Sequence, residues 1–272
     1  MKNAYLNRKL EQIKNEGYGL HLEEILSSAF EIHKKSVFVG LIATLFYGVL
    51  IGGVTMSMFG TLYGVSFMEL METAQTNPES LESLMGAISI TSALIYTLVY
   101  SLGMALLAPL LSGLYKVAYN VKHNGGSDFS DLFAYYKQPY FSNIFIFSFL
   151  FAFVLQFLNL YLGQIIPGFG GAISFALQII LNVSLALTIP FIVFGDFSWS
   201  KAMSASASVI SKNWFFVLFI LFIAAIISYI GIILCCIGFF FTYPFIYFTT
   251  FSLYDKIIGF SSSEDEISEI GK

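Results

Sequence analysis

Trp214-Phe-Phe-Val-Leu-Phe-Ile-Leu-Phe-Ile-Ala-Ala-Ile-Ile-Ser-Tyr-Ile-Gly-Ile-Ile233 runs for twenty residues without a charge. At helical rise that length matches a bilayer's hydrocarbon core, about 30 Å thick. Similar apolar stretches occur near 37–59, 86–112, 143–163, 172–195 and 235–254. The whole chain is 57% hydrophobic and 11% charged, with a mean hydropathy of +0.78, far from the roughly one-quarter charged residues of soluble domains. We therefore expect an all-α, polytopic membrane helical bundle of about six transmembrane helices. It occupies 20–258, between an N-terminal segment 1–19 and an acidic, disordered tail 259–272. Only Leu234 to Gly238 are available for the last turn, so Gly231 and Gly238 should bracket it.

The charges orient this bundle. Segment 1–35 holds Lys2, Arg8, Lys9, Lys14, Lys34 and Lys35. The 113–142 connection holds Lys116, Lys122 and Lys137, the 196–213 connection holds Lys201 and Lys212, and the tail holds Lys256 and Lys272. These are all thirteen cations. The alternate connections contain none, and the first of them, 66–85, carries Glu69, Glu72, Glu79 and Glu82. By the positive-inside rule both termini are cytoplasmic, and the protein is expected in a bacterial cytoplasmic (inner) membrane. The formal charge of −4 hides a basic inner face suited to anionic lipid head groups. No nucleic-acid partner is expected. A charged 35-residue start followed by a long apolar stretch argues against a cleavable signal.

The pattern reads as three pseudo-repeated hairpins, each preceded by a short amphipathic segment and carrying a proline at the inner end of its second span. The prolines are Pro109, Pro190 and Pro244. Each removes a backbone donor and crowds the preceding turn, so kinks are expected there, chiefly shaping the bundle. Leu22, Ile25, Leu26 and Ala29 follow i, i+3, i+4, i+7, as do Phe129, Leu132, Phe133 and Tyr136; Trp199, Met203, Ser206 and Ile210 do so more weakly. These segments are expected as interfacial helices, with Asp128 and Ser198 as N-caps, and Asp196 capping the segment after it. The second span should run past Pro109 through Tyr115 and Tyr119 to a stop at Gly125-Gly126.

No ionisable residue lies inside a span, which argues against proton-coupled transport. Uncharged polar residues concentrate in spans three and four. Gln156 and Asn159 are three apart, and Ser174, Gln178 and Asn182 recur every four, so each set shares a helix face. The two form a candidate polar stripe, read first as interhelical glue and second as a polar pathway. Gly48 with Gly52, and Gly60 with Gly64, are small-xxx-small pairs permitting close contact within the bundle or in a homo-oligomer. Thr76-Asn77-Pro78-Glu79 reads as a turn in a solvated outer connection. Cys235 and Cys236 read as packing residues, since a vicinal disulfide is strained.

Enzyme signatures are weak. His21, His33 and His123 are expected on the cytoplasmic side, outside the bundle, and cannot assemble a multi-histidine iron site. Asp128-Phe-Ser-Asp131 falls short of the paired aspartate-rich motifs that hold diphosphate through magnesium. Neither a nucleophile elbow nor a phosphate-binding glycine loop is found. No metal or cofactor is expected.

Pro109-Leu-Leu-Ser-Gly113-Leu-Tyr115, then Gly125-Gly126 and Asp131-Leu132-Phe133, then Ala202, Ser206 and Lys212-Asn213-Trp214, resemble a broad group of bacterial six-span membrane proteins. The group includes the membrane domain joined to glycerophosphoryl diester phosphodiesterases. The resemblance implies the six-span fold over about 20–255. It does not extend to diesterase activity, because the chain ends soon after the sixth span. The expected role is that of a non-catalytic scaffold or accessory component with a protein partner or as a homo-oligomer. The alternative is a transporter or export component for a small or lipidic molecule, using the stripe.

Overall fold

In the computed structural model the described residues are 2–63, 66–77, 90–166, 168–233 and 237–260. They form α1 (Lys2–Glu16), α2 (Leu22–Tyr63), α3 (Phe67–Thr76), α4 (Ile90–His123), a 3-10 helix (Phe129–Tyr136) and α5 (Tyr140–Ile165). The chain continues through α6 (Gly170–Ser184), α7 (Thr188–Gly195), α8 (Trp199–Ile210), α9 (Trp214–Tyr229), α10 (Ile237–Thr242) and α11 (Phe245–Ile257). Short 3-10 turns, Ser211–Asn213 and Ile230–Ile232, flank α9. There is no strand among the described residues.

Five helical stretches are long and apolar enough to cross a membrane: Leu22–Ser57, Ile90–His123, Tyr140–Leu162, Gly170–Gly195 and Trp199–Ile232. They cover the first five expected spans. The sixth is divided into α10, of 6 residues, and α11, of 13. Large apolar side chains lie outermost on these stretches, as at Phe38, Val49, Phe215 and Phe222. Buried Ser36, Thr44, Thr97, Ser101, Ser112 and Ser206 lie among the inward residues. That inversion suits a lipid solvent, where small residues let helices approach.

Several local expectations change. Residues 22–29 are no separate interfacial helix but the first turns of the 42-residue α2. No Gly or Pro interrupts 22–39, and Ile25, Ala29, Ile32 and Ser36 continue one buried row. Ser198 occupies the N-cap position of α8 without a side-chain cap bond; Asn143 Oδ1 instead accepts from the Trp199 amide at 3.0 Å. Asp196 ends α7 with φ 53° rather than capping α8, and accepts from the Tyr140 hydroxyl at 2.7 Å. His33 packs in α2, its ring 5.9 Å from those of Phe245 and Phe248. Gly125 has φ +79°, just beyond the end of α4. In the 66–85 connection, Ser66 and Glu69 form a reciprocal capping box on α3; hydrogen bonding from Ser66 lowers the pKa of the Glu69 carboxyl. Pro78, Glu79, Glu82, Gly64, Cys235, Cys236 and the tail 261–272 lie outside the described residues.

The chain forms two compact units. The first comprises Met1–Leu45, Pro109–Ile144 and Ile179–Lys272; the second comprises Phe46–Ala108 and Phe145–Gln178. Every Lys, Arg, His and Asp of the sequence belongs to the first, and the second carries only four Glu as charged residues.

In the first unit, α1 buries Leu6 and Ile13 and packs on α7 and α8. Gly17, at φ +73°, ends it. The 3-10 helix lies backbone to backbone on α4: a Cβ at Gly113 would fall 2.4 Å from Leu132 Cα. The Asp131 carboxylate holds that turn, accepting from the Asp128 amide at 3.0 Å and the Asn120 amide side chain at 2.8 Å. Gly231 and Gly238 meet in the same manner, 2.3 Å separating a Gly231 Cβ from the Gly238 carbonyl carbon. Ion pairs Lys122–Asp255 and Lys256–Glu24 join α4, α11 and α2. In the second unit, Ala93, Tyr96 and Tyr161 form one buried cluster, with Tyr100 and Leu160 against it. A Cβ at Gly52 would meet nothing within 4 Å, so that glycine makes no close helix contact here. Gly103 instead faces Ile51 and Val54.

Gly113→Ala is expected to destabilise the protein by about 1–3 kcal/mol through forced separation of α4 and the 3-10 turn. Gly52→Ala should leave it unchanged or slightly more stable. Thermal unfolding in detergent compares the two.

Candidate functional site

The three prolines act differently. α4 runs through Pro109 unbroken. Pro190 sits in the first turn of α7, after a break at 185–187, where a missing amide hydrogen has no helical partner to lose. Pro244 is the N-cap residue of α11. The helix arms are therefore parted at the second and third prolines, and other helices repair the partings. Ser206 Oγ, on α8, donates to the Ser184 carbonyl at 2.9 Å and accepts from the Leu187 amide at 3.1 Å. Thr44 Oγ1, on α2, donates to the Phe240 carbonyl at 2.7 Å. That carbonyl lies four residues before Pro244 and so lacks its helical donor. Gly40, one turn earlier, gives the proline ring room: a Cβ there would lie 2.8 Å from Pro244 Cγ.

Part of the expected stripe is assembled in the second unit. Gln178 Nε2 donates to Asn159 Oδ1 at 2.7 Å and to Ser174 Oγ at 3.0 Å, and Asn159 Nδ2 returns a longer 3.5 Å contact to Gln178 Oε1. The i, i+4 spacing on α6 and the facing position on α5 bring these groups together. Gln156 has no described bond to them, and Asn182 belongs to the first unit.

Sequence reasoning missed a cavity of about 450 Å³ in the first unit. Tyr5 and Leu6 come from α1, Lys116 and Tyr119 from α4, and Ala134 and Tyr135 from the 3-10 helix. Tyr140, Val193, Phe194, Tyr254, Gly259 and Phe260 complete the wall. Phe260 closes one side, its ring 4.9 Å from Tyr119 and 5.1 Å from Phe194. The Tyr5 hydroxyl donates to the Ile258 carbonyl at 3.1 Å, tying α1 to the end of α11. Lys116 Nζ lies 5.3 Å from the Tyr119 ring centroid, within cation-π range. Burial raises the pKa of Tyr135, and nearby Tyr140, Asp131 and Asp196 raise it further. Its hydroxyl thus stays protonated and a donor. The five tyrosines were legible only as scattered residues, because they come from five different elements between Tyr5 and Tyr254.

Beside α8, the Tyr18 hydroxyl donates to the Val209 carbonyl at 3.1 Å, and Asn213 Nδ2 donates to the Tyr18 carbonyl at 2.6 Å. Burial pushes the Tyr18 phenol up to about 12 from 10.0.

No protein-family model matches the chain, and no curated protein or solved structure is significantly similar to it.

A double-mutant cycle on Asn159→Ala and Gln178→Ala, read by unfolding in detergent, is expected to give a coupling of about 0.5–2 kcal/mol; additivity would show that the pair contributes nothing. For Tyr18, the raised folded-state pKa means its stabilisation is complete below pH 10.0 and is lost as pH rises toward about 12. Tyr18→Phe should expose the N-terminal segment to protease near neutral pH, and the difference from wild type should narrow over that alkaline window.

Proposed function

We propose that this chain is a non-catalytic, multi-pass component of a bacterial cytoplasmic membrane, with six crossings, both termini cytoplasmic, and a scaffold or accessory role. The coincidence of charge with compactness carries this reading: one unit contains all thirteen Lys and Arg residues and the other contains none. A bilayer that sorts cations to one side accounts for such a division. The sixth crossing is α10 followed by α11. A broken helix is tolerable in a membrane when its freed carbonyl is paired, and Thr44 pairs it.

Three pseudo-repeated hairpins remain part of the proposal, supported by a proline in each second arm. So does kinship with the six-span group that includes the glycerophosphoryl diester phosphodiesterase membrane domain. The working surface is the cytoplasmic one, where α1, the 3-10 helix and α8 provide a firm, charged platform for a protein partner, a second copy or anionic head groups. Transport along the stripe is the weaker alternative, because Asn159, Gln178 and Ser174 spend their hydrogen bonds on one another.

Orientation is tested by thiol labelling of Glu79→Cys and Lys201→Cys, with Cys235 and Cys236 replaced by alanine. Sealed cells should admit label at 79 and protect 201; the reverse pattern sinks the topology. Pull-down in mild detergent should recover a stoichiometric partner or a second copy. Alanine at Gln156, Asn159, Gln178 and Asn182 should lower detergent stability; lost transport with undiminished stability would favour the alternative.

A further inference from the structure

A scaffold has no need of an open, ring-lined cavity, and the 450 Å³ space in the first unit lies within the size range of small-molecule sites. Its polar groups are few and specific. Tyr135 is 5% exposed and Tyr254 1%; among the described residues neither hydroxyl has a hydrogen-bond partner, and neither is fully enclosed by protein. The hydroxyls of Tyr5 and Tyr140, at the same cavity, are both used, on Ile258 and Asp196. Both residues line the same cavity, so two phenol donors not spent on protein are at hand for a partner that the cavity admits. The third group is Lys116, half-buried and without a carboxylate partner among the described residues.

We propose that this cavity binds a monoanion, a carboxylate or a phosphodiester, carried on an aromatic or other apolar body. Lys116 offers only donors, and the two hydroxyls can each donate once; an oxyanion accepts all three. The rings of Tyr119, Phe194 and Phe260, with Phe260 set edge-to-face against the other two, provide aromatic surface for the apolar body. A cationic ligand would also find ring faces attractive, but Lys116 already lies over Tyr119 and repels a second positive charge. Three carboxylates act on the two tyrosines, Asp131 and Asp196 on Tyr135 and Asp196 and Asp255 on Tyr254, and Asp196 also accepts from Tyr140; this limits the charge the site can accept and favours a monoanion over a dianion. The ligand could be drawn from the membrane, as an acidic phospholipid, or from solution, as an aryl carboxylate. The inference rests on the cavity and not on the scaffold role or the orientation.

The test uses the full chain in neutral detergent, with 2-naphthoate as probe and 2-naphthalenemethanol and dodecyltrimethylammonium as neutral and cationic controls, read by equilibrium dialysis. Naphthoate should bind at least about tenfold more tightly than either control. Lys116→Met should weaken it about tenfold, and Tyr135→Phe and Tyr254→Phe each about three- to tenfold. Each phenylalanine variant removes a single oxygen, so one of them carries the test if Lys116→Met fails to fold, as judged by gel filtration. Competition by phosphatidylglycerol in nanodiscs but not by phosphatidylcholine assigns a lipid source; naphthoate binding without such competition assigns a soluble one. The proposal is overturned if neither naphthoate nor phosphatidylglycerol binds above the controls, if the cation binds more tightly, or if the folded variants bind as wild type does. Because no membrane orientation enters the measurement, its failure leaves the proposed topology standing.

Discussion

A backbone group without a partner is intolerable in an apolar surrounding, and the answer to that constraint at two helix breaks organises the first unit. Ser206 bridges the Ser184 carbonyl and the Leu187 amide, and Thr44 takes the carbonyl that Pro244 cannot serve. In water such groups would be solvated at little expense. In hydrocarbon each unsatisfied group costs several kcal/mol, so the hydroxyls must come from neighbouring helices, and those helices are thereby placed. α8 is positioned against the break between α6 and α7, while α2 is positioned against the break between α10 and α11.

Close backbone approach follows from the same requirement. A hydroxyl reaches a carbonyl on another helix only if the two axes come near. Gly40 beside Pro244, Gly113 beneath Leu132 and Gly231 against Gly238 provide that proximity. α1 then seals the assembly at its polar end, burying Leu6 and Ile13 and reaching the last helix through Tyr5. The aromatic cavity is what remains where these segments meet without filling the space.

Part of this was legible from residue types and spacing. Gly231 and Gly238 could be paired from the shortness of the last turn, and the end of α4 from Gly125-Gly126, because both depend on local backbone geometry. The contact of Asn159 with Gln178 was foreshadowed by helical period. The fusion of 22–29 into α2 was harder to see, since an amphipathic start and a continuous helix share one periodicity and only the lack of a breaker separates them. Ser198 holds the expected N-cap position but its side chain does not cap, and Asp196 ends α7 instead, for a related reason: a residue type suited to a cap does not say which neighbour reaches the amide first, and Asn143, far away in sequence, does.

Composition and hydropathy by themselves determined that the chain is helical and membrane-like, where its apolar stretches fall, and that its cations cluster in alternate connections. These are sums over local properties, and burial in lipid depends on such sums. The tertiary structure alone decided which hydroxyl serves which orphaned carbonyl, which prolines part their helices, and that tyrosines from five elements surround one cavity. Those outcomes depend on distances between residues as much as 253 positions apart, and short-range periodicity contains no information about them.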